Sequence, residues 1–245
     1  YVTKGIPGIL DILTHDSFHG SIGNSAYLSG GRYRPLSLVT YAIEVSLFGL
    51  KPWVHHLGNV LLFAVCCILL FRFLRRFVLP GHPWAAWCVA LLFTVHPVHT
   101  EVIANIKGRD EILSLSFLVL TMHHALAHLQ WRTRRSDVQH ESRSKRKERE
   151  KAGKNEQGKW SGVWSVVCFV LALLSKENGL IFIAVLPLTL YFLGGLSLPA
   201  ALKRSLPVIG LVVLYVALRM ALLGARNNTV QEVMDNPYLF ATAPE

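Results

Sequence analysis

Apolar residues along this chain come in long blocks, and the charged residues fall between them. The blocks are His56–Phe71, Trp84–Val98, Ile112–Leu129, Ser161–Leu174, Leu180–Leu198 and Leu206–Leu223. Each approaches or reaches the roughly 20 residues that a helix needs to cross bilayer hydrocarbon, and fewer suffice where protein shields a helix end. Lipid offers no partner to an exposed backbone amide, so every block is predicted helical. The implied fold class is all-α, a polytopic transmembrane helical bundle. Two weaker elements come first. Gly5–Leu13 carries Ile6, Ile9, Leu10 and Leu13 near helical spacing and is expected to be a short amphipathic helix on the membrane surface. After a Gly/Ser-rich loop, Gly20–Gly31, the segment Pro35–Gly49 is apolar except for a stripe of Ser37, Thr40 and Glu44 on one helical face. It reads as either a surface helix or a short span.

Composition sharpens this picture. Hydrophobic residues make up 52% of the chain, yet the formal net charge is +10. A basic balance can point to nucleic acid, but no nucleic-acid motif is present, and nucleic acid is not an expected partner. Lys and Arg concentrate in loops, as they do on the cytoplasmic side of membrane proteins. Arg72, Arg75 and Arg76, the stretch Arg132–Lys159 around SKRKEREK, and Lys203 with Arg204 share one side if the spans alternate. That side is assigned as cytoplasmic. His96–Glu111, Ser175–Asn178 and Gly224 onward then lie outside. Merging Ser161–Leu198 into one helix would leave Lys176 and Glu177 in lipid, so a turn is placed at Ser175–Gly179.

The organisation expected is an external loop with surface helices over 1–52, transmembrane helices with an external polar loop over 53–131, and a basic cytoplasmic loop over 132–160. Further transmembrane helices follow over 161–223, and a new external region begins over 224–245. The basic loop mixes both signs and reads as a solvated linker, with lipid-headgroup binding as its functional alternative. Cys66, Cys67, Cys88 and Cys168 all lie within apolar blocks, at spacings that fit neither a zinc site nor a disulfide framework. They read as packing residues. The opening residues do not resemble a signal peptide, and a chain opening at Tyr1 and closing at Glu245 is expected to be a piece of a longer protein.

Polar residues that could carry chemistry cluster on the outer side. His96, His99 and Glu101 could ligate a metal, or could cap helix ends and hold interfacial water; HxxH alone is a weak metal pattern. Asp110 and Glu111 suit a helix N-terminus, where the dipole favours acids. Arg109 is not explained that way, and its planar fork suits a phosphate. Lys176-Glu177-Asn178 sits close to hydrocarbon, where charge is expensive. It is either a local ion pair or a lysine facing an anionic headgroup, and Arg219 poses the same question. Arg34 is either an interfacial anchor or a phosphate ligand. Asn227-Asn228-Thr229 is a formal glycosylation sequon.

The runs RYRPLSLVTYAIEVSLFGLKPWVHHLGNVLL, HPVHTEVIANIKGRDEIL and LLSKENGL, and the ending from LRMALLG to MDNPYLFAT, resemble the transmembrane and tetratricopeptide-repeat O-mannosyltransferases and their bacterial relatives. These are GT-C glycosyltransferases. The resemblance implies a GT-C-like bundle that takes a sugar, mannose in the first instance, from a polyprenyl- or dolichyl-phosphate donor. The sugar passes to a hydroxyl of a protein or glycan acceptor on the outer or lumenal face. The membrane would be the bacterial inner membrane or that of the endoplasmic reticulum. The resemblance fixes no cofactor and leaves open both a divalent metal and metal-free transfer.

Residue by residue, His96, His99, Glu101 and Arg109 fall on motif positions. Glu111 stands where the family commonly has Asp, and Asp110 stands where many relatives have a small residue. Lys176 and Glu177 match the Ser-Lys-Glu turn, and Arg34 matches the early motif. The expected roles are donor-phosphate binding for Arg109, Lys176 and Arg34, with Glu101 and Glu111 lining the acceptor side or orienting those cations. The catalytic set is thus Glu101, Glu111 and Arg109. The family's acidic pair, which supplies the base, is expected ahead of Tyr1, since Asp11 and Asp16 lie downstream of its place. This piece alone is therefore expected to be inactive. The rival classes are a transporter or flippase and a non-catalytic membrane anchor for tetratricopeptide repeats.

Overall fold

The computed structural model describes residues 1–15, 33–139, 158 and 160–223. Among these the chain is helical throughout, without strands. Two 3-10 turns, Val2–Lys4 and Ile6–Gly8, lead into α1 (Ile9–Thr14). The larger helices are α2 (Pro35–Phe48), α3 (Pro52–Phe73) and α4 (Pro83–Val95). Each of these three starts on a proline, whose missing N–H costs nothing in the first turn. Gly49, at φ 75, ends α2 in a conformation that side chains avoid. The short α5 (His99–Ala104) and a 3-10 turn, Ile106–Gly108, precede the long α6 (Arg109–Gln139). After it come α7 (Ser161–Ser175), a 3-10 turn over Glu177–Ile181, α8 (Phe182–Phe192) and α9 (Leu198–Leu223).

Among the described residues, three stretches are long and apolar enough to cross a membrane: Pro52–Val78, Ile106–Arg134 and Leu198–Ala221. The other expected spans form shorter apolar helices. The block Trp84–Val98 stops being helical at Val95, because Pro97 forces His96 into an extended conformation (ψ 127). The block Leu180–Leu198 opens as a 3-10 turn and ends before Gly194 and Gly195, the latter at φ 66. Lys203 and Arg204, expected in a turn, lie inside α9, which begins earlier on the helix-forming run Pro199-Ala200-Ala201-Leu202. The first residues of the expected linker, Arg132–Gln139, continue α6. The rest of that loop up to 157, Asp16, and the sequon at Asn227 lie outside the described residues.

The larger core joins α6, α7, α8 and α9 through Val119, Leu126, Phe169, Leu173, Leu186 and Val212. Small residues let α6 and α7 approach closely. Ser165 Oγ donates to the Thr121 carbonyl at 3.0 Å, and a Cβ at Gly162 would lie 3.3 Å from the His128 ring. A second core of Phe63, Cys66 and Ile112 ties α3 to α6. Outward, α3 exposes Val60, Leu61, Val65 and Ile68, and α9 exposes Val213, Leu214 and Leu218. This is the inverse of a water-soluble surface and suits contact with lipid. Exposed tryptophans mark the ends: Trp53 at one, Trp84 and Trp160 at the other. The chain is a multi-pass membrane protein.

Candidate functional site

Three consecutive residues open α6, and each faces a different partner. An α-helix turns about 100° per residue, so Arg109, Asp110 and Glu111 cannot share a face. Arg109 points into the protein and is 0% exposed. Its Nε donates to Asn59 Oδ1 at 2.8 Å, and its Nη2 to the His55 carbonyl at 2.9 Å. Its Nη1 reaches Glu44 Oε1 at 2.7 Å and Thr40 Oγ1 at 3.2 Å. The Tyr41 ring covers the guanidinium, 4.1 Å from its carbon. The polar stripe of α2 is thus the receptor for Arg109, with Thr40 and Glu44 as its acceptors.

Neighbouring groups brace this cluster. Glu44 Oε2 also pairs with His55 Nδ1 at 2.5 Å. Asn59 Nδ2 donates to the carbonyls of Asn105 and Ile106 at 3.1 and 3.2 Å, and the Tyr41 hydroxyl also donates to Ile106. Gly58 makes room for the contact: a Cβ there would sit 2.5 Å from Arg109 Nη2 and 2.6 Å from Glu44 Oε1. Both of those atoms are held by other bonds, so Gly58→Ala is expected to cost about 1–3 kcal/mol by overpacking. A lowered midpoint of thermal unfolding in detergent would register it, and an unchanged midpoint would contradict the packing described.

Asp110 faces Arg34. Arg34 Nη1 donates to Asp110 Oδ2 at 2.5 Å, while Nε and Nη2 grip Glu177 in a fork at 3.0 and 2.7 Å. Those two hydrogen bonds to Glu177 are the main reason the Arg34 guanidinium is held even more firmly protonated than usual. Burial pushes the Glu177 carboxyl up, but the Arg34 contacts, with Arg219 nearby, outweigh it and hold the group below its ordinary range. Glu111, the third residue, accepts from Lys176 Nζ. Glu111 is the more open partner of that pair, at 43% side-chain exposure against 13% for Lys176. Arg34, Asp110, Glu111, Lys176 and Glu177 therefore form one patch of alternating charge. It is built from the first turn of α2, the first turn of α6 and the turn after α7.

The remaining candidates lie apart from that patch. His96 is exposed, and its Nδ1 accepts from the Val98 amide at 3.2 Å. His99 packs on Phe93, ring centroids 4.3 Å apart, and on Phe63 at 5.5 Å. Burial first, and His96 second, push its imidazole below the ordinary value. Glu101 is exposed on α5. Among the described residues no group of three or more His, Cys, Asp or Glu side chains could hold a metal ion. Sequence reasoning missed Tyr41, His55 and Asn59. Asn59, an amide inside an otherwise apolar block, was the available signal.

Comparison with known proteins adds an independent line. The protein O-mannosyl-transferase TMTC2 of Mus musculus is 34% identical over 111 residues, which is 45% of this chain and 12% of the relative. TMTC1 of Homo sapiens is 32% identical over 120 residues, 49% of this chain and 13% of the relative. TMTC3 of Mus musculus is 37% identical over 87 residues, 36% and 9% respectively. Over these segments the chain is a homologue of protein O-mannosyl-transferases. It spans about an eighth of the length of the TMTC1 and TMTC2 relatives. No protein-family profile matches the chain, and no solved structure matches it.

Proposed function

We propose that the chain is part of a membrane glycosyltransferase that moves mannose from a polyprenyl- or dolichyl-phosphate donor to the hydroxyl of a protein acceptor. The observation that carries this reading is the convergence of Arg34, Lys176 and Glu111 at one end of the bundle. They come from segments far apart in sequence. The named activity of the homologues points the same way. In the reaction the acceptor oxygen bonds to the anomeric carbon as the bond from that carbon to the phosphate oxygen breaks. The hydroxyl proton passes to a carboxylate, and the lipid phosphate leaves with its negative charge increased. Cations aimed at that oxygen stabilise the transition state more than the bound donor.

Lys176 and Arg34 supply those cations. Their carboxylate partners, Glu111 and the Asp110–Glu177 pair, hold them in place before the donor arrives. Glu111, the most open of the three acids, is positioned to turn toward the acceptor side, with Glu101 beyond it on α5. Arg109 is buried and occupied by protein acceptors, so in this reading it acts through position, fixing α6 against α2 and α3. The motif charges Arg34, Asp110, Glu111, Lys176 and Glu177 gather at one end of the bundle, which favours headgroup chemistry over the broken mid-membrane helices of a transporter.

The test is mannosyl transfer by membranes containing the full-length protein, supplied with polyprenyl-phosphate-mannose. Lys176→Ala is expected to lower transfer about 100-fold, the scale for losing one preorganised charge stabiliser. Lys176→Ala at full rate would remove the phosphate assignment. Sidedness follows from the same reading. A cysteine at Ala104 is expected to react with an impermeant thiol reagent from the outer or lumenal side, and one at Lys145 from the cytoplasmic side. The reverse pattern would overturn the topology.

A further inference from the structure

The opposite end of the bundle holds a basic concavity that the proposed reaction does not use. Its volume is about 380 Å3, and it is lined by Arg72, Arg75, Arg76 and His123. The arginines fall at i, i+3 and i+4, so they share one face of the end of α3. There α3 widens into a π turn, Leu74–Val78, a distortion found disproportionately at functional sites. His123 enters from α6, its Nε2 3.2 Å from Arg76 Nη1 and its ring edge-on to Phe77 at 5.1 Å. Arg134, also on α6, adds positive potential at Arg76. No ion pair among the described residues neutralises Arg72, Arg75 or Arg76.

Favourable placement at a helix C-terminus, or retention of the loop on one side of the membrane, explains why arginines sit at this end. Neither explains why a second helix brings an imidazole to complete a pocket around them. We infer that this pocket binds the phosphate of an anionic membrane lipid. A lipid fits better than a soluble phosphate because of what surrounds the pocket. It opens beside Phe71 and Phe77, which Arg75 and Arg76 overlie at 5.8 and 4.9 Å. The exposed Val65 and Ile68 of α3 continue away from it as a track for an acyl chain. Exposed Trp84 and Trp160, opening α4 and α7 at the same end, place the pocket at headgroup depth. Basic pockets between transmembrane helices recognise headgroups in this way.

The experiment is native mass spectrometry of the full chain released from detergent micelles containing phosphatidic acid, phosphatidylcholine or inorganic phosphate. Phosphatidic acid is expected to remain bound. The variant Arg72→Gln/Arg75→Gln/Arg76→Gln is expected to bind it at least about tenfold more weakly, from the attraction each arginine near a surface contributes. Lys203→Gln/Arg204→Gln, which removes charge from α9, is expected to stay within about twofold of the parent. All of the substituted side chains are exposed, and unchanged thermal unfolding midpoints would show that the fold is intact. Equal loss in both variants would reduce the effect to general attraction and overturn the site. So would equal retention of phosphatidylcholine, or displacement of the lipid by an equal concentration of inorganic phosphate.

Discussion

Arg109→Ala is expected to destabilise the protein by about 3–5 kcal/mol, the range for removing one partner of a buried ion pair. The guanidinium donates to Asn59, Thr40, Glu44 and the His55 carbonyl, and its side chain has no exposure. Deleting it takes the arginine from the largely enclosed Glu44 carboxylate, which keeps its contact with His55 Nδ1, and opens a cavity beneath Tyr41. Arg109→Lys restores the charge, but a single ammonium cannot serve acceptors on two helices, so less than half the loss should return. Adding Glu44→Gln to Arg109→Ala should recover part of the loss, because the charge that has lost its arginine is then gone. With the exposed Cys88 and the half-buried Cys67 replaced by Ser in every variant, the buried thiols of Cys66 and Cys168 give the readout, since a thiol-reactive dye labels them only on unfolding. A parent-like labelling temperature for Arg109→Ala, with transfer abolished, would return Arg109 to the donor-binding role that the family resemblance implies.

The surroundings of Arg109 show where one-dimensional reading stops. The long apolar helices are legible because lipid imposes a simple rule on composition and length. Their ends are less so: a single proline at 97 shortens α4, and a run of helix formers after Pro199 draws Lys203 and Arg204 into α9. Within the site, the sequence places Arg109, Asp110 and Glu111 side by side and does not name the partner of any of them. The helix separates them toward three partners from three different elements. The stripe of Thr40 and Glu44 is visible as a polar face. That it receives an arginine from a helix beginning at residue 109 depends on the pairing of helices, which spacing does not encode. Tyr41, His55 and Asn59 matter for the same reason, through contacts to a turn far along the chain.

Arg34→Ala should produce a comparable loss, about 3–5 kcal/mol at neutral pH, with a pH dependence that the Arg109 variants lack. Arg34 stands between Asp110 and Glu177, whose side chains are 6% and 25% exposed. Without it two enclosed carboxylates lose the cation that joins them. The sign follows from linkage. In the parent, Glu177 titrates below its ordinary range. The stability it contributes is therefore present above the unfolded-state value, near pH 4.5. It is lost as pH falls through the folded-state value. In the variant, burial still pushes the Glu177 carboxyl up while the Arg34 contacts that held it down are gone, so acidification relieves the defect. The gap in unfolding midpoint between parent and Arg34→Ala should be widest at neutral pH and shrink on approach to about pH 4. Arg34→Lys should fall between the two, keeping a charge but losing the fork on Glu177. A gap that stays constant or widens in acid would mean that Asp110 and Glu177 do not depend on Arg34. The charged patch proposed to receive the donor phosphate would then lose its central member.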